Sequence, residues 1–246
     1  MPRVRAGALH DAPIAERVRR LDWPALGAAL TERGWAKTPR LLTPAECREI
    51  VLLDADDARF RSRIDMARHR FGEGRYGYFA HPLPRLVTAL RRALYRELAP
   101  VANRWMELLG IATRYPARLD GFLARCAEHG QHRPTPLLLR YEAGGYNCLH
   151  QDLYGDVAFP LQATCFLSEP GVDYGGGEFL LVEQRPRAQS RGEAIAAAQG
   201  ETLLFANALR PLATRRGHVR ANLRHGVGTV AWGERWALGV IFHDAR

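Results

Sequence analysis

Two periodicities divide the chain. Over residues 11–33 apolar positions recur at helical spacing (Ile14, Val18, Leu21, Ala25, Leu26, Leu30) and stop near Gly34, with Pro24 placed to break or restart the helix. Thr43-Pro44-Ala45-Glu46 is a helix start, with Thr as N-cap, Pro in the first position and Glu in the third. A longer amphipathic stretch covers residues 86–109 (Leu90, Leu94, Leu98, Val101, Trp105, Leu108); an interruption is expected near Pro100 and an end at Gly110. Residues 61–84 are rich in Arg, Gly and aromatics with weak periodicity, which predicts a long ordered loop with short strands. From Pro136 the period shortens. Residues 137–141, 161–167, 178–182, 201–205, 226–231 and 235–242 are short apolar or alternating runs bounded by Gly, Pro, Asp or Asn, the pattern of strands in a sandwich or barrel. Residues 184–200 are polar with an Ala-rich middle and predict an insertion or short surface helix. The expectation is an α+β fold. Residues 1–135 form a mainly helical layer with a basic loop, and pack in one fold unit on a β-sandwich of residues 136–246.

Composition narrows the class. With 47% hydrophobic residues in 246, the chain has ample material for a buried core, which excludes disorder as the dominant state. No run of about 18 apolar residues occurs. The charged N-terminus is not followed by an apolar stretch, so neither a membrane span nor a secretory signal is expected and a cytoplasmic location is predicted. Cys47, Cys126, Cys148 and Cys165 lie far apart without a C-x-x-C pair, and read as buried or idle thiols in a reducing cytosol. The net charge of +9 belongs to the first 135 residues; residues 59–104 alone carry eleven Arg against Asp65, Glu73 and Glu97. Such a block attracts polyanions, nucleic acid first among them. A plainer reading stands beside it: Lys37 is the sole lysine, so genomic base composition contributes to the arginine count, and arginines on a helix face are usually just solvated.

The candidate chemistry starts at His150-Gln151-Asp152, after the first predicted strand. In an extended segment residues two apart point to one side, so His150 and Asp152 can reach one ion together. A third ligand is available in His225, expected to open the penultimate strand, 73 residues beyond Asp152; Arg235 follows ten residues later on the last strand. Two histidines and a carboxylate on one face of a metal leave positions open, as in non-haem Fe(II) oxygenases. An arginine fork nearby suits the distal carboxylate of 2-oxoglutarate, whose other end chelates the iron. H-x-D alone is weak; the ordered set with His225 and Arg235 is far stronger.

With these residues the sequence resembles the 2-oxoglutarate/Fe(II)-dependent dioxygenase superfamily. It is most similar to a bacterial family of that superfamily labelled as oxygenases acting on damaged nucleic acid. The resemblance rests on Ile64 to Gly72, Arg140-Tyr141 through His150-Gln151-Asp152-Leu153-Tyr154-Gly155, and Gly176-Gly177-Glu178-Phe179. It continues through Glu183 to Arg187, Arg224-His225-Gly226 and Phe242 to Ala245. It implies a double-stranded β-helix (jelly-roll) core. Fe(II) would be held by His150, Asp152 and His225, and 2-oxoglutarate and dioxygen would serve as co-substrates, with ascorbate as an accessory reductant. By comparison with alkylation-repair (AlkB-like) dioxygenases, Tyr141, nine residues before His150, corresponds to a co-substrate tyrosine. Leu139 stands where those enzymes carry Asn, and Ala237 and Ile241 stand where they carry a further Asn and Arg. The single-arginine clamp and the Gly-Gly-Glu-Phe run are closer to prolyl hydroxylases.

Three function classes follow. The first is oxidative dealkylation or repair of a modified nucleic-acid base, single-stranded or flipped out. The second is hydroxylation of a protein side chain or free amino acid, and the third a non-catalytic metal-binding jelly roll. For a nucleic-acid substrate, Arg59, Arg61, Arg63, Arg68 and Arg70 are candidates for phosphate contact. Asp65 and His69 join Arg68 and Arg70 in a candidate lid, and Tyr76, with Tyr78 and Phe79, is a stacking candidate. Their plainer reading is a solvated loop closed onto the sandwich by its aromatics.

Overall fold

A computed structural model describes residues 12–185 and 187–246; the charged N-terminus, the Asp11 start of the first predicted helix and Pro186 lie outside the described residues. The first helical pattern divides into Ile14–Arg19 and Trp23–Arg33. Pro24 restarts rather than ends a helix, because it sits in the first turn behind the N-cap Asp22, whose carboxylate accepts from Ala25 N. Gly34 closes that helix in the left-handed conformation at φ 85°. The Thr43 start forms a complete capping box with Glu46 at the head of Pro44–Leu52.

The expected break at Pro100 does not occur. Arg85–Leu108 is one helix. Its buried stripe (Leu90, Leu94, Leu98, Ala102, Trp105) runs through the proline on both sides, and burial of that stripe outweighs the ~3 kcal/mol that an interior proline costs. A further helix, Leu119–Glu128, had no prediction; Tyr95 stacks on its Phe122 at 5.5 Å between ring centroids.

Two sheets face each other beneath these helices. The seven-stranded sheet runs Trp35–Lys37, Thr202–Ala206, Leu161–Phe166, Arg235–Val240, Leu137–Tyr141, Arg75–Phe79, Phe60–Asp65. The second runs Arg191–Ile195, Phe179–Gln184, Gly217–Val227, Tyr146–His150, Gly72–Glu73, with Leu209–Thr214 paired to Gly217–Val227. Val230–Gly233 pairs separately with Tyr174–Gly176. Strands from residues 1–135 thus complete both sheets, so the helical layer and the sandwich share one core. The fold is the expected α+β jelly roll.

Two strand expectations are corrected. The described residues of 184–200 hold no helix: Arg191–Ile195 is an edge strand on Phe179–Gln184, where ladder pairing overrides the local alanine preference. His225 lies near the end of Gly217–Val227 rather than at the start of a strand. The long hairpin of residues 209–227 escaped detection because its outward positions are Arg, His and Asn. Only Ala221, Leu223 and His225 alternate inward before Gly226 and Val227.

Candidate active site

Sheet register assembles the candidate ligands. His225 lies directly across from His150 on the neighbouring antiparallel strand, with a pairing irregularity between His225 and Val227. Gly226 permits this close approach: a Cβ there would stand 2.5 Å from the Asn147 carbonyl oxygen. Asp152 follows in the loop, its main chain held on both sides by Asn207, which accepts from Asp152 N at 3.0 Å and donates to Asp152 O at 2.6 Å. The outcome is one cluster: a ligand atom from each of His150, Asp152 and His225 lies within 4.8 Å of the other two. Nε2 of His225 is 3.3 Å from Asp152 Oδ2, and Nε2 of His150 is 3.7 Å from Oδ1.

The electrostatics suit a cation. Burial pushes the Asp152 carboxyl up, but hydrogen bonding and charge from His225, with His150 and Tyr154, outweigh it and hold the group well below the usual carboxylate range. Burial, reinforced by His150, lowers His225 and favours the neutral imidazole that ligates metals. The Nδ1 edge of His150 meets the Cys148 carbonyl at 2.8 Å, which directs Nε2 to the cluster. Phe179 stacks parallel to the His225 ring at 5.7 Å and Phe205 meets it edge-on at 4.8 Å, fixing its plane.

The opposite sheet supplies the arginine. Arg235 opens its strand directly across from Tyr141. Its side chain is almost wholly buried, yet Nε and Nη2 have no hydrogen-bond partner among the described residues. Gly177, at φ 63°, makes room for its stem: a Cβ there would lie 3.0 Å from Arg235 Cδ. Tyr141 is fully buried; burial, opposed by Arg235, pushes its phenol up to about 12, so it keeps its proton, while its oxygen accepts from Asn147 at 3.2 Å. A buried guanidinium with unpaired donors beside an undissociated phenol is fitted to receive a carboxylate. His150, Asp152, His225, Arg235 and Tyr141 all line one cavity of about 400 Å³ between the sheets, walled by Leu137, Leu139, Phe179, Phe205 and Ile241.

The candidate substrate residues separate. Arg70 and Tyr76 line the cavity. Arg61 does not: it donates to the Pro134 carbonyl and lies over the Tyr78 ring at 4.4 Å. Arg63 is bound to Asp54 and Asp57 and lies over Phe60. Arg59 pairs with Asp56. Arg68 pairs with Asp65 at 3.4 Å while remaining largely exposed, and His69 stacks on Phe71 at 5.4 Å, beside the mouth. Tyr78 lines the cavity, whereas Phe79 is a core residue.

Several contributors went unpredicted. Tyr154 donates to Asp152 Oδ1 at 2.6 Å, and Gln162 Nε2 lies 3.2 Å from His225 Nε2. The signal for Tyr154 was present in the two-residue spacing already applied to His150 and Asp152. Asn147 lines the cavity and donates to the Tyr141 oxygen at 3.2 Å. Cys148 is exposed and lines the cavity, while the other three cysteines are buried. His243 faces Phe159 N instead of the cavity, and burial lowers its imidazole to about 4.

Comparison with known proteins agrees with this geometry. A family described as an oxygenase catalysing oxidative methylation of damaged DNA matches residues 74–245. An uncharacterized protein of Mycobacterium tuberculosis is 48% identical over 183 residues, which is 70% of this chain and 78% of that one. A Pseudomonas putida prolyl-4-hydroxylase has a similar structure, with a TM-score of 0.53 at 15% identity, over 91% of this chain and 99% of its own. A 2OG-Fe(II) oxygenase family oxidoreductase from Burkholderia pseudomallei gives 0.54 at 16% identity, over 91% of each chain. At such identities the likeness concerns the fold. No described helix is long and apolar enough to cross a membrane. The family match covers well over half of the chain, so the protein belongs to this oxygenase family, with a fold like that of 2OG-Fe(II) oxygenases and a His-Asp-His cluster that could hold a metal ion.

Proposed function

We propose that the protein oxidises a C–H bond of a modified base in single-stranded or flipped-out nucleic acid, in the reducing cytoplasm that its free thiols suit. His150, Asp152 and His225 would hold Fe(II). The unpartnered Nε and Nη2 of Arg235, with the Tyr141 hydroxyl, would take the distal carboxylate of 2-oxoglutarate. That unsatisfied buried guanidinium is the observation that carries the co-substrate assignment. Bound Fe(II), 2-oxoglutarate and dioxygen supply C–H oxidation coupled to decarboxylation to succinate, which on an N-methyl group ends in loss of the methyl. The chain contributes orientation and a dry wall: Leu137, Leu139, Phe205 and Ile241 keep water from the reacting carbon.

The family description and the cationic mouth support the nucleic-acid substrate. Arg70 lines the cavity with no ion pair among the described residues, and Arg68 stands exposed beside it. Tyr76 offers a ring for a base to stack on. Hydroxylation of a protein side chain or amino acid is the second reading, favoured by the single arginine clamp and by the engagement of Arg59, Arg61 and Arg63 in internal contacts. The deciding experiment incubates the iron-loaded protein with 2-oxoglutarate and ascorbate, adds methylated single-stranded oligonucleotides or peptides, and follows succinate and formaldehyde. Oligonucleotide-stimulated succinate with matching formaldehyde is expected. Stimulation by peptides alone would transfer the assignment to the hydroxylase reading.

A further inference from the structure

We infer that Tyr154 is a positioning residue that confines Asp152 to ligation through one oxygen, keeping half of the metal's coordination sphere open. The inference rests on the Fe(II) assignment proposed above. Its basis is a directed chain of phenols ending on the carboxylate. Tyr78 donates to the Tyr154 oxygen at 2.9 Å, and Tyr154 donates to Asp152 Oδ1 at 2.6 Å. Because its oxygen accepts from Tyr78, the Tyr154 proton is committed to Asp152. Oδ1 is thereby engaged in a charge-assisted hydrogen bond, while Oδ2 is the oxygen nearer a candidate ligand, 3.3 Å from His225 Nε2 against 3.7 Å between Oδ1 and His150 Nε2.

Rotation of the carboxylate would have to break this contact. The Asp152 main chain is fixed on both sides by Asn207. The Tyr154 ring is fixed by Tyr78, edge-on at 6.1 Å, and by His243 at 5.9 Å. The count of positions gives the arrangement its purpose. On a six-coordinate ion, two imidazoles and one carboxylate oxygen would leave three positions, enough for a chelating 2-oxo acid and dioxygen together. A carboxylate ligating through both oxygens would leave two, and the 2-oxo acid and dioxygen would then compete for them.

The test is Tyr154→Phe, which removes the hydroxyl and keeps the ring. Fe(II) and then 2-oxoglutarate are titrated anaerobically into the parent and the variant, following binding calorimetrically and the absorption of the ternary complex. The expected pattern is Fe(II) affinity within about threefold of the parent, or tighter. 2-Oxoglutarate affinity of the iron-loaded form should fall about tenfold or more, the scale of one lost charge-assisted hydrogen bond, with a displaced absorption band. A residue that merely braces the loop would behave in the opposite way, losing Fe(II) affinity; that result, or unchanged 2-oxoglutarate binding, overturns the inference. If Tyr154→Phe does not fold, 3-fluorotyrosine at position 154 keeps the shape and alters only the donor strength. A shift of the band is then expected, and an unmoved band counts against the role. Failure of the parent itself to bind Fe(II) would overturn the iron assignment and this inference with it.

Discussion

Arg91 and Arg235 are both about 1% exposed, and they do opposite things with their donors. Arg91, on the long helix, donates to the Ile241 and Phe242 carbonyls and to Asp244, so its Nε and Nη2 are used. The same two atoms of Arg235 meet nothing among the described residues. A buried charge is tolerated only when paired and hydrogen-bonded, so Arg91 is explained by the fold and Arg235 is not. Arg210 belongs with Arg91: it is buried on Glu183 and on the Thr31 and Pro211 carbonyls. The difference teaches that burial alone does not describe an arginine: the fold uses the donors of Arg91 and Arg210, and leaves those of Arg235 unsatisfied on the cavity wall.

Removing the proposed metal ligands should have the largest effect, because without a metal Arg235 would have no chelated partner to hold. Asp152→Ala or His225→Ala is expected to abolish Fe(II)-dependent succinate formation, and undiminished turnover in either would break the reading. Next comes the stability side of the comparison. Arg91→Met removes one partner of a buried pair and should destabilise by about 3–5 kcal/mol in denaturant titrations. Arg235→Met leaves no carboxylate of the protein stranded, so its unfolding midpoint should equal or exceed that of the parent.

The same Arg235→Met variant should weaken 2-oxoglutarate by roughly 30- to 1,000-fold in calorimetric titration, corresponding to about 2–4 kcal/mol for a charge-assisted bidentate contact. Equal stability losses for Arg91 and Arg235, with unchanged co-substrate affinity, would erase the distinction between them.

Two smaller effects sharpen it. Arg70→Ala should lower the salt slope of oligonucleotide binding by ~0.7–0.9, one phosphate's worth, whereas Arg63→Ala should leave the slope unchanged because Asp54 and Asp57 already hold its charge. Gel-shift titrations across a salt series measure both. The satisfied arginine Arg210 predicts a pH signature. Burial raises Glu183, but the hydrogen bonds and charges of Arg210 and Arg185 outweigh it, so its folded pKa lies below the ordinary 4.5. A depressed carboxyl contributes stability above the unfolded value, and that stability is lost as pH falls through the folded one. The melting-temperature gap between the parent and Glu183→Gln should therefore be widest above about pH 4.5 and narrow below it.

Local chemistry explains what was readable along the chain. Helix signals at Thr43 and Gly34 act within a few residues, so they are legible without knowing any partner. Short apolar runs bounded by turn residues located strands such as Leu137–Tyr141 and Arg235–Val240 for the same reason. Part of the basic block is neutralised by Asp54, Asp56 and Asp57, which lie just before it in sequence and pair with Arg59 and Arg63. Pro100 misled because the burial that sustains its helix is supplied by other elements.

The sequence by itself determined the residue types, their order and their spacing: a His-x-Asp pair, a later His, an Arg ten residues beyond, and strand patterns to carry them. Spacing of this kind survives without a fold because it reflects the fixed geometry of an extended chain. Tertiary structure alone decided that His225 lies opposite His150 across a strand pair, and that Nε and Nη2 of Arg235 meet no partner among the described residues while the same atoms of Arg91 are hydrogen-bonded. It also decided that Tyr78 and Tyr154 close on Asp152. These are contacts between residues remote in sequence or brought together by a turn, and whether a buried donor finds an acceptor depends on every element packed around it.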